Sequence, residues 1–221
     1  MPKYEGWSLV VQIAGTIVAI IVVLVAVMGE RIRQWFSRSE LRLTLREPNF
    51  THTVNQVKGW YYILKISNSR RTCPAENVRV MMTKVYKKGP DGSWFEHKFS
   101  GPIQVSWQWP DTMSQFLTVG PEVNATFAAV LQGTGVINLC MYGNRFPNNL
   151  PPIITPNDPT RLCFKAVSDI DESDEITIEI SWDGQWVEGR AEMAEHLIIN
   201  LVTYNPFTGA DPKNRAVQFN R

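Results

Sequence analysis

The chain has 221 residues, 44% hydrophobic, 11% aromatic and 19% charged, with a formal net charge of +1. That apolar content excludes intrinsic disorder, and the near-zero charge excludes the basic excess of a dedicated nucleic-acid binder. The length holds one domain of ordinary size plus an anchor.

Trp7 to Met28 reads WSLVVQIAGTIVAIIVVLVAVM, 22 residues without a charge. Crossing the hydrocarbon core takes about 20 apolar residues. Residues 1–29 are therefore predicted to be a transmembrane anchor, with Trp7 and Trp35 at the two interfaces. A cleaved signal peptide needs a basic leader and a small-residue cleavage site; MPKYEG and VAVMGE supply neither. Gly15 and Ala19 form a small-x-x-x-small pair that lets helices approach closely. Lys3 is the only basic side chain before the span, whereas Arg31, Arg33, Arg38, Arg42 and Arg46 follow it. That asymmetry predicts a single-pass inner-membrane protein with a cytoplasmic C-terminal domain. Residues 30–40 read as a basic stalk whose arginines attract anionic lipid.

From Leu41 the period changes from helical to two. LRLTLRE alternates apolar and polar as a half-buried strand does, and PNFTHTVNQVKG reads as a polar loop. In GWYYILKISNSRRTCPAENVRVMMTKVY, Gly59 to Tyr86, two alternating runs flank a polar elbow; the expectation is a central hairpin. KKGPDGSWFEHKF carries Gly-Pro and Asp-Gly turn signals. PIQVSWQW, NATFAAVLQ, GVINLCMY, RLCFKAVS and EITIEISW follow as strands, with a long loop at 143–160 that holds five prolines. WDGQWVEG reads as a turn, and RAEMAEHLIINLV as a helical turn running into the last strand. Eight or nine short strands with turns about every ten residues predict an antiparallel β-sandwich over residues 41–203, followed by a polar tail, 204–221.

The stretch YYILKISNSRRTCPAENVRVMM resembles a hairpin of immunoglobulin-like sandwich domains. The order of anchor, that stretch, PIQVSW, a Pro-rich loop, WDGQW and EMAEHLII is similar to uncharacterised bacterial single-pass membrane-anchored β-sandwich proteins. The resemblance implies the fold and no reaction. Cysteines bracketing a core Trp, as in antibody domains, are absent at usable spacing.

No sequence pattern points to a cofactor, a metal or a catalytic group. The LQGTGVIN glycines are followed by a strand and lack the third glycine of a dinucleotide site. The acidic run DIDESDEITIE has Asp174 and Ile180 where a calcium loop needs Gly and Glu. Cys73, Cys140 and Cys163 are odd in number with no C-x-x-C and read as free thiols. Glu192 and His196, four apart, read as a surface pair. Charge is uneven: Lys58–Lys98 holds nine basic and three acidic residues, and Ser168–Glu195 ten acidic and one basic. The expected interaction residues are Arg70 and Arg71 on the elbow, and Trp182 and Trp186 beside the Asp-Gly turn. The expected partners are the bilayer and a protein, another copy included, and no nucleic acid. These features predict a non-enzymatic binding or scaffold protein; the alternative is a tethered sensor of a nucleotide or cation in a bacterial defence or stress system.

Overall fold

The computed structural model describes residues 13–23, 26, 29, 40–46, 50–54, 57–70, 74–107, 117–144, 146–147, 149–151 and 153–202. Trp7, Arg31, Arg33, Trp35, Arg71, Cys73 and the 204–221 tail lie outside the described residues. The chain divides into two units, Met1–Arg38 and Ser39–Arg221.

In the first unit, residues 13–23 are helical and exposed throughout. Eleven helical residues rise about 16 Å. Among the described residues no helix is long and apolar enough to cross a membrane; the expected span, 7–28, extends beyond them on both sides.

The second unit is mainly β. In chain order its strands are β1 (Leu41–Leu45), β2 (Phe50–Val54), β3 (Val57–Asn68), β4 (Ala75–Lys88), β5 (Trp94–Glu96), β6 (Ile103–Gln104), β7 (Ser106–Trp107), β8 (Leu117–Val119), β9 (Glu122–Leu131), β10 (Ile137–Leu139), β11 (Ile153–Ile154), β12 (Thr160–Val167), β13 (Ile176–Trp182) and β14 (Leu197–Val202). A 3-10 turn covers Tyr142–Asn144, and one short helix, α1 (Arg190–His196), precedes β14. The first sheet runs β1-β3-β9-β10-β11, with β2 on β3 and β7 on β9; the second runs β14-β13-β12-β4-β5, with β6 and β8 on β4. Every pairing is antiparallel.

The two sheets bury one shared apolar layer, giving a β-sandwich-like unit. The period-two pattern decides which side chains enter it. Trp60, Tyr62, Leu64 and Ile66 of β3 face inward, as do Leu162, Phe164 and Ala166 of β12 and Ile178, Ile180 and Trp182 of β13. Each large side chain fully buried contributes about 1.5–3 kcal/mol.

The stretch expected to form a hairpin does not. β3 pairs with β1, β2 and β9, while β4 pairs with β12, β5, β6 and β8. The elbow is a crossover from one sheet to the other. Alternation reports which face a residue occupies, not which strand lies beside it. The loop expected at PNFTHTVNQVKG contains β2, which pairs with β3 from Phe50↔Tyr61 to Val54↔Val57. Strands expected from NATFAAVLQ, GVINLCMY, RLCFKAVS and EITIEISW are present as β9, β10, β12 and β13. PIQVSWQW is cut into β6 on the second sheet and β7 on the first.

Candidate functional site

The tryptophans singled out in the sequence belong to one loop system, residues 183–189, between β13 and α1. Trp182 closes β13 and is 3% exposed; its Nε1 donates to Gln185 O at 3.3 Å. Trp186 is half-buried against the core, and its Nε1 donates to Val130 O on β9 at 3.3 Å. Trp60 on β3 answers from the other sheet: its Nε1 donates to Val187 O at 2.9 Å. Lys58 and Glu188 form an ion pair at the same place. The loop that leaves the second sheet is thus fastened to two strands of the first. Trp60 shows only its alternation in the sequence, which gives no sign of this bond. Trp182 is a core side chain, and neither it nor Trp186 offers a free indole N–H to a partner.

The turn itself demands glycine. Gly184 has φ +96, and a Cβ there would lie 2.9 Å from the Pro156 ring. Beside it, His196 Nδ1 donates to Asp183 Oδ2 at 2.7 Å, and Gln185 N–H donates to Asp183 Oδ1 at 2.8 Å. Those donors, Gln185 first and His196 next, hold the Asp183 carboxyl below its usual range. The sequence paired His196 with Glu192. Glu192 instead curls back on Gly189, where a Cβ would meet its Oε2 at 2.8 Å. An aspartate orienting a histidine is half of a nucleophile relay. Among the described residues no hydrogen bond continues from His196 to a hydroxyl or thiol, so the pair closes the turn.

The acidic run is engaged by the chain's own donors. Asp171 Oδ2 accepts the N–H of Leu41, the first residue of β1, at 3.3 Å, while Ser168 closes the turn on Asp171 N and O. Asp169 accepts from Asn77, which sits at φ 54 in a bulge of β4. Glu172 pairs with Lys165 at 2.6 Å and Glu175 with Lys84 at 3.0 Å. Among the described residues no group of three or more His, Cys, Asp or Glu side chains is placed to hold a metal ion. Lysines of the basic stretch pair with carboxylates in the connections beside β12 and β13: Lys58 with Glu188, Lys84 with Glu175, Lys87 with Asp158. Such exposed pairs contribute about 0–1 kcal/mol each.

On the outer face of the second sheet, Arg161 donates to Glu179 Oε2 at 2.8 Å, and its guanidinium lies 4.1 Å from the Trp94 ring centroid. Cys163 is buried beside them with its Sγ 3.2 Å from Thr177 Oγ1, and burial pushes its thiol up. Burial pushes the Cys140 thiol up to about 12. Among the described residues both cysteines are free. Arg70 is exposed at the start of the elbow, where its N–H donates to Asn68 Oδ1 at 3.1 Å. Gly15 and Ala19 lie one turn apart on the exposed helix of the first unit.

No protein-family model, curated protein or solved structure matches the chain. The functional reading rests on its own residues.

Proposed function

We propose that the chain is a membrane-anchored binding or scaffold protein that presents an immunoglobulin-like β-sandwich to a protein partner. The observation that carries this reading is the helix at 13–23. None of its residues is charged and all are exposed, with Ile13, Ile17, Ile20 and Ile21 each more than half exposed. A helix apolar on every side is stable where its surroundings are apolar, as in a bilayer or a packed helix bundle. The uncharged run from Trp7 to Met28 gives it the length to span, and the arginines after it favour a cytoplasmic domain.

Strand order supports the immunoglobulin-like reading. β1-β3-β9 follows the A-B-E order of such sandwiches, and β5-β4-β12-β13 follows C′-C-F-G. The crossover from β3 to β4 takes the place of the B-to-C connection between sheets. β14 adds a strand beyond that order.

Binding is favoured over catalysis because Asp183 with His196, Asp171, Glu175 and Arg161 are each engaged in holding the fold. The experiment is carbonate extraction of membranes together with a phosphatase reporter fused after Arg221. The expected result is a chain that stays with the membrane and a silent periplasmic reporter. Release by carbonate sinks the anchor, and phosphatase activity sinks the cytoplasmic orientation.

A further inference from the structure

β14 stands at the end of the second sheet, and among the described residues its only strand partner is β13. An open edge invites pairing, and natural proteins blunt such edges with charges, prolines or very short strands. Three other edge strands follow that rule, whereas β2 (FTHTV), paired among the described residues with β3 alone, is five residues without a formal charge or a proline. β1 carries Arg42, β5 is three residues ending in Glu96, and β11 is two residues between prolines. β14 reads LIINLV: six residues, no charge, no proline, and Ile198 48% exposed.

The direction of its backbone groups follows from one bond. Asp183 N–H donates to His196 O at 3.3 Å, so this pair is hydrogen-bonded across the ladder. Antiparallel ladders alternate. Ile198, Asn200 and Val202 therefore turn their N–H and C=O toward β13, opposite Ser181, Glu179 and Thr177. Ile199 and Leu201 turn theirs to the open edge. Leu197 N–H is taken by Met193 O at the end of α1.

We propose that this edge pairs with the same edge of a second copy, antiparallel about a two-fold axis through Asn200. Directly opposed residues share a face of the sheet, so the two-fold must pass through a residue and not between residues. Centred on Asn200, Ile199 meets the partner copy's Leu201 in hydrogen-bonded pairs, with both side chains on the core side. On the outer face Ile198 meets Val202, apolar against apolar, and the two Asn200 amides meet each other. Centring on Ile199 instead would set Ile198 against Asn200. No charge on the strand repels its own copy. The inference deepens the scaffold reading by naming its partner. A ladder of five residues a side is smaller than the ~1,200–2,000 Å² of a standard stable interface. Two copies held in one membrane supply the missing effective concentration.

The test uses the full chain in detergent, followed by sedimentation equilibrium and cysteine cross-linking in membranes. The wild type is expected to dimerise, and N200K, which opposes two ammonium groups across the axis, to weaken the dimer by up to about fivefold. N200C with Cys73 replaced by serine is expected to form a disulfide-linked dimer, because opposed residues of a non-hydrogen-bonded pair lie about 4.5 Å apart between Cα atoms, within disulfide reach. A wild type monomeric in detergent whose N200C variant also gives no cross-link in membranes, or a dimer indifferent to N200K, overturns the proposal. An N200K-sensitive dimer without the N200C cross-link overturns the Asn200 axis. Membrane pelleting is scored separately, so loss of the anchor reading leaves the pairing result standing.

Discussion

Phe127 of β9 and Phe164 of β12 meet with ring centroids 5.3 Å apart and planes tilted by 59°. Each is fully buried, and each comes from a different sheet. This tilted contact joins the two layers at their middle. Aromatic pairs of this geometry add about 0.5–1.5 kcal/mol beyond the area they bury.

Truncating either ring removes both the pair and its volume. Phe127→Ala is expected to lower stability by about 3–5 kcal/mol. Phe164→Leu keeps most of the volume and is expected to lose clearly less. Urea unfolding of the residue 39–221 unit within the full chain, followed by tryptophan fluorescence, measures both. Equal losses would mean that the site is not a packed contact between layers.

The Trp60 indole bonds to Val187 O on the loop from the opposite sheet, and Trp60→Phe leaves that carbonyl without its donor. The expected loss is about 1–3 kcal/mol. Trp186→Phe, at a half-buried position with the longer bond to Val130, is expected to lose less. A partner-binding assay run beside the unfolding curves separates structure from recognition. If Trp186→Phe abolishes binding while stability is unchanged, the loop is a recognition surface and not a fastening.

Cys140 and Cys163 are free and their thiols are held protonated by burial. The thiolate is the reactive form. At pH 8, Ellman's reagent is expected to modify both at least about a hundredfold more slowly in the native protein than in urea. The same shift fixes an alkaline limb. The Cys140 thiol ionises near 9.0 in the unfolded chain and near 12 in the folded one. Its contribution is complete below pH 9 and is lost as pH rises toward 12, by about 1.4 kcal/mol per unit. Cys140→Ser should flatten this limb; an unchanged limb assigns it to other groups.

At the acid end the sign reverses. Glu40 is held below its usual range by Arg42, Asp91 by Ser93, Glu122 by Lys65, and Asp183 by Gln185 and then His196. These carboxylates contribute stability above their ordinary values of 3.8 and 4.5, and that stability is lost as pH falls through their lower folded values. Urea midpoints should therefore fall between pH 5 and pH 2. Asp183→Asn should shallow that fall while keeping the acceptor for Gln185. A midpoint that stays level across the range refutes the assignment.

Much of the layer structure was legible because burial and period coincide. In RLCFKAVS, Leu162, Phe164 and Ala166 alternate inward, and in EITIEISW Ile178 and Ile180 do the same, so β12 and β13 could be placed to within a residue or two. Two things were not legible. Thr51, His52 and Thr53 carry no apolar alternation, so β2 exists only because the backbone of β3 accepts it as a partner. The separation of β3 from β4 left no trace either, since Asn68 and Pro74 end strands in a hairpin and in a crossover alike. The site suffered most. Asp183 meets His196 across 13 residues and the Trp60 indole meets the Val187 carbonyl across 127, and local spacing offered Glu192 instead.

The crossover from β3 to β4 also sets an order of events during synthesis. Lys87 on β4 donates to Thr160 on β12, 73 residues later in the chain. A ribosome adding about 5–20 residues per second leaves β4 without its main neighbour for roughly 4–15 seconds. The first sheet can pair β1, β2 and β3 in that interval, but the second cannot close until nearly the whole chain has emerged. The nascent molecule therefore carries β4 with only its β5, β6 and β8 side able to pair, and the edge that later receives β12 stays open through that interval, set by topology and not by final stability.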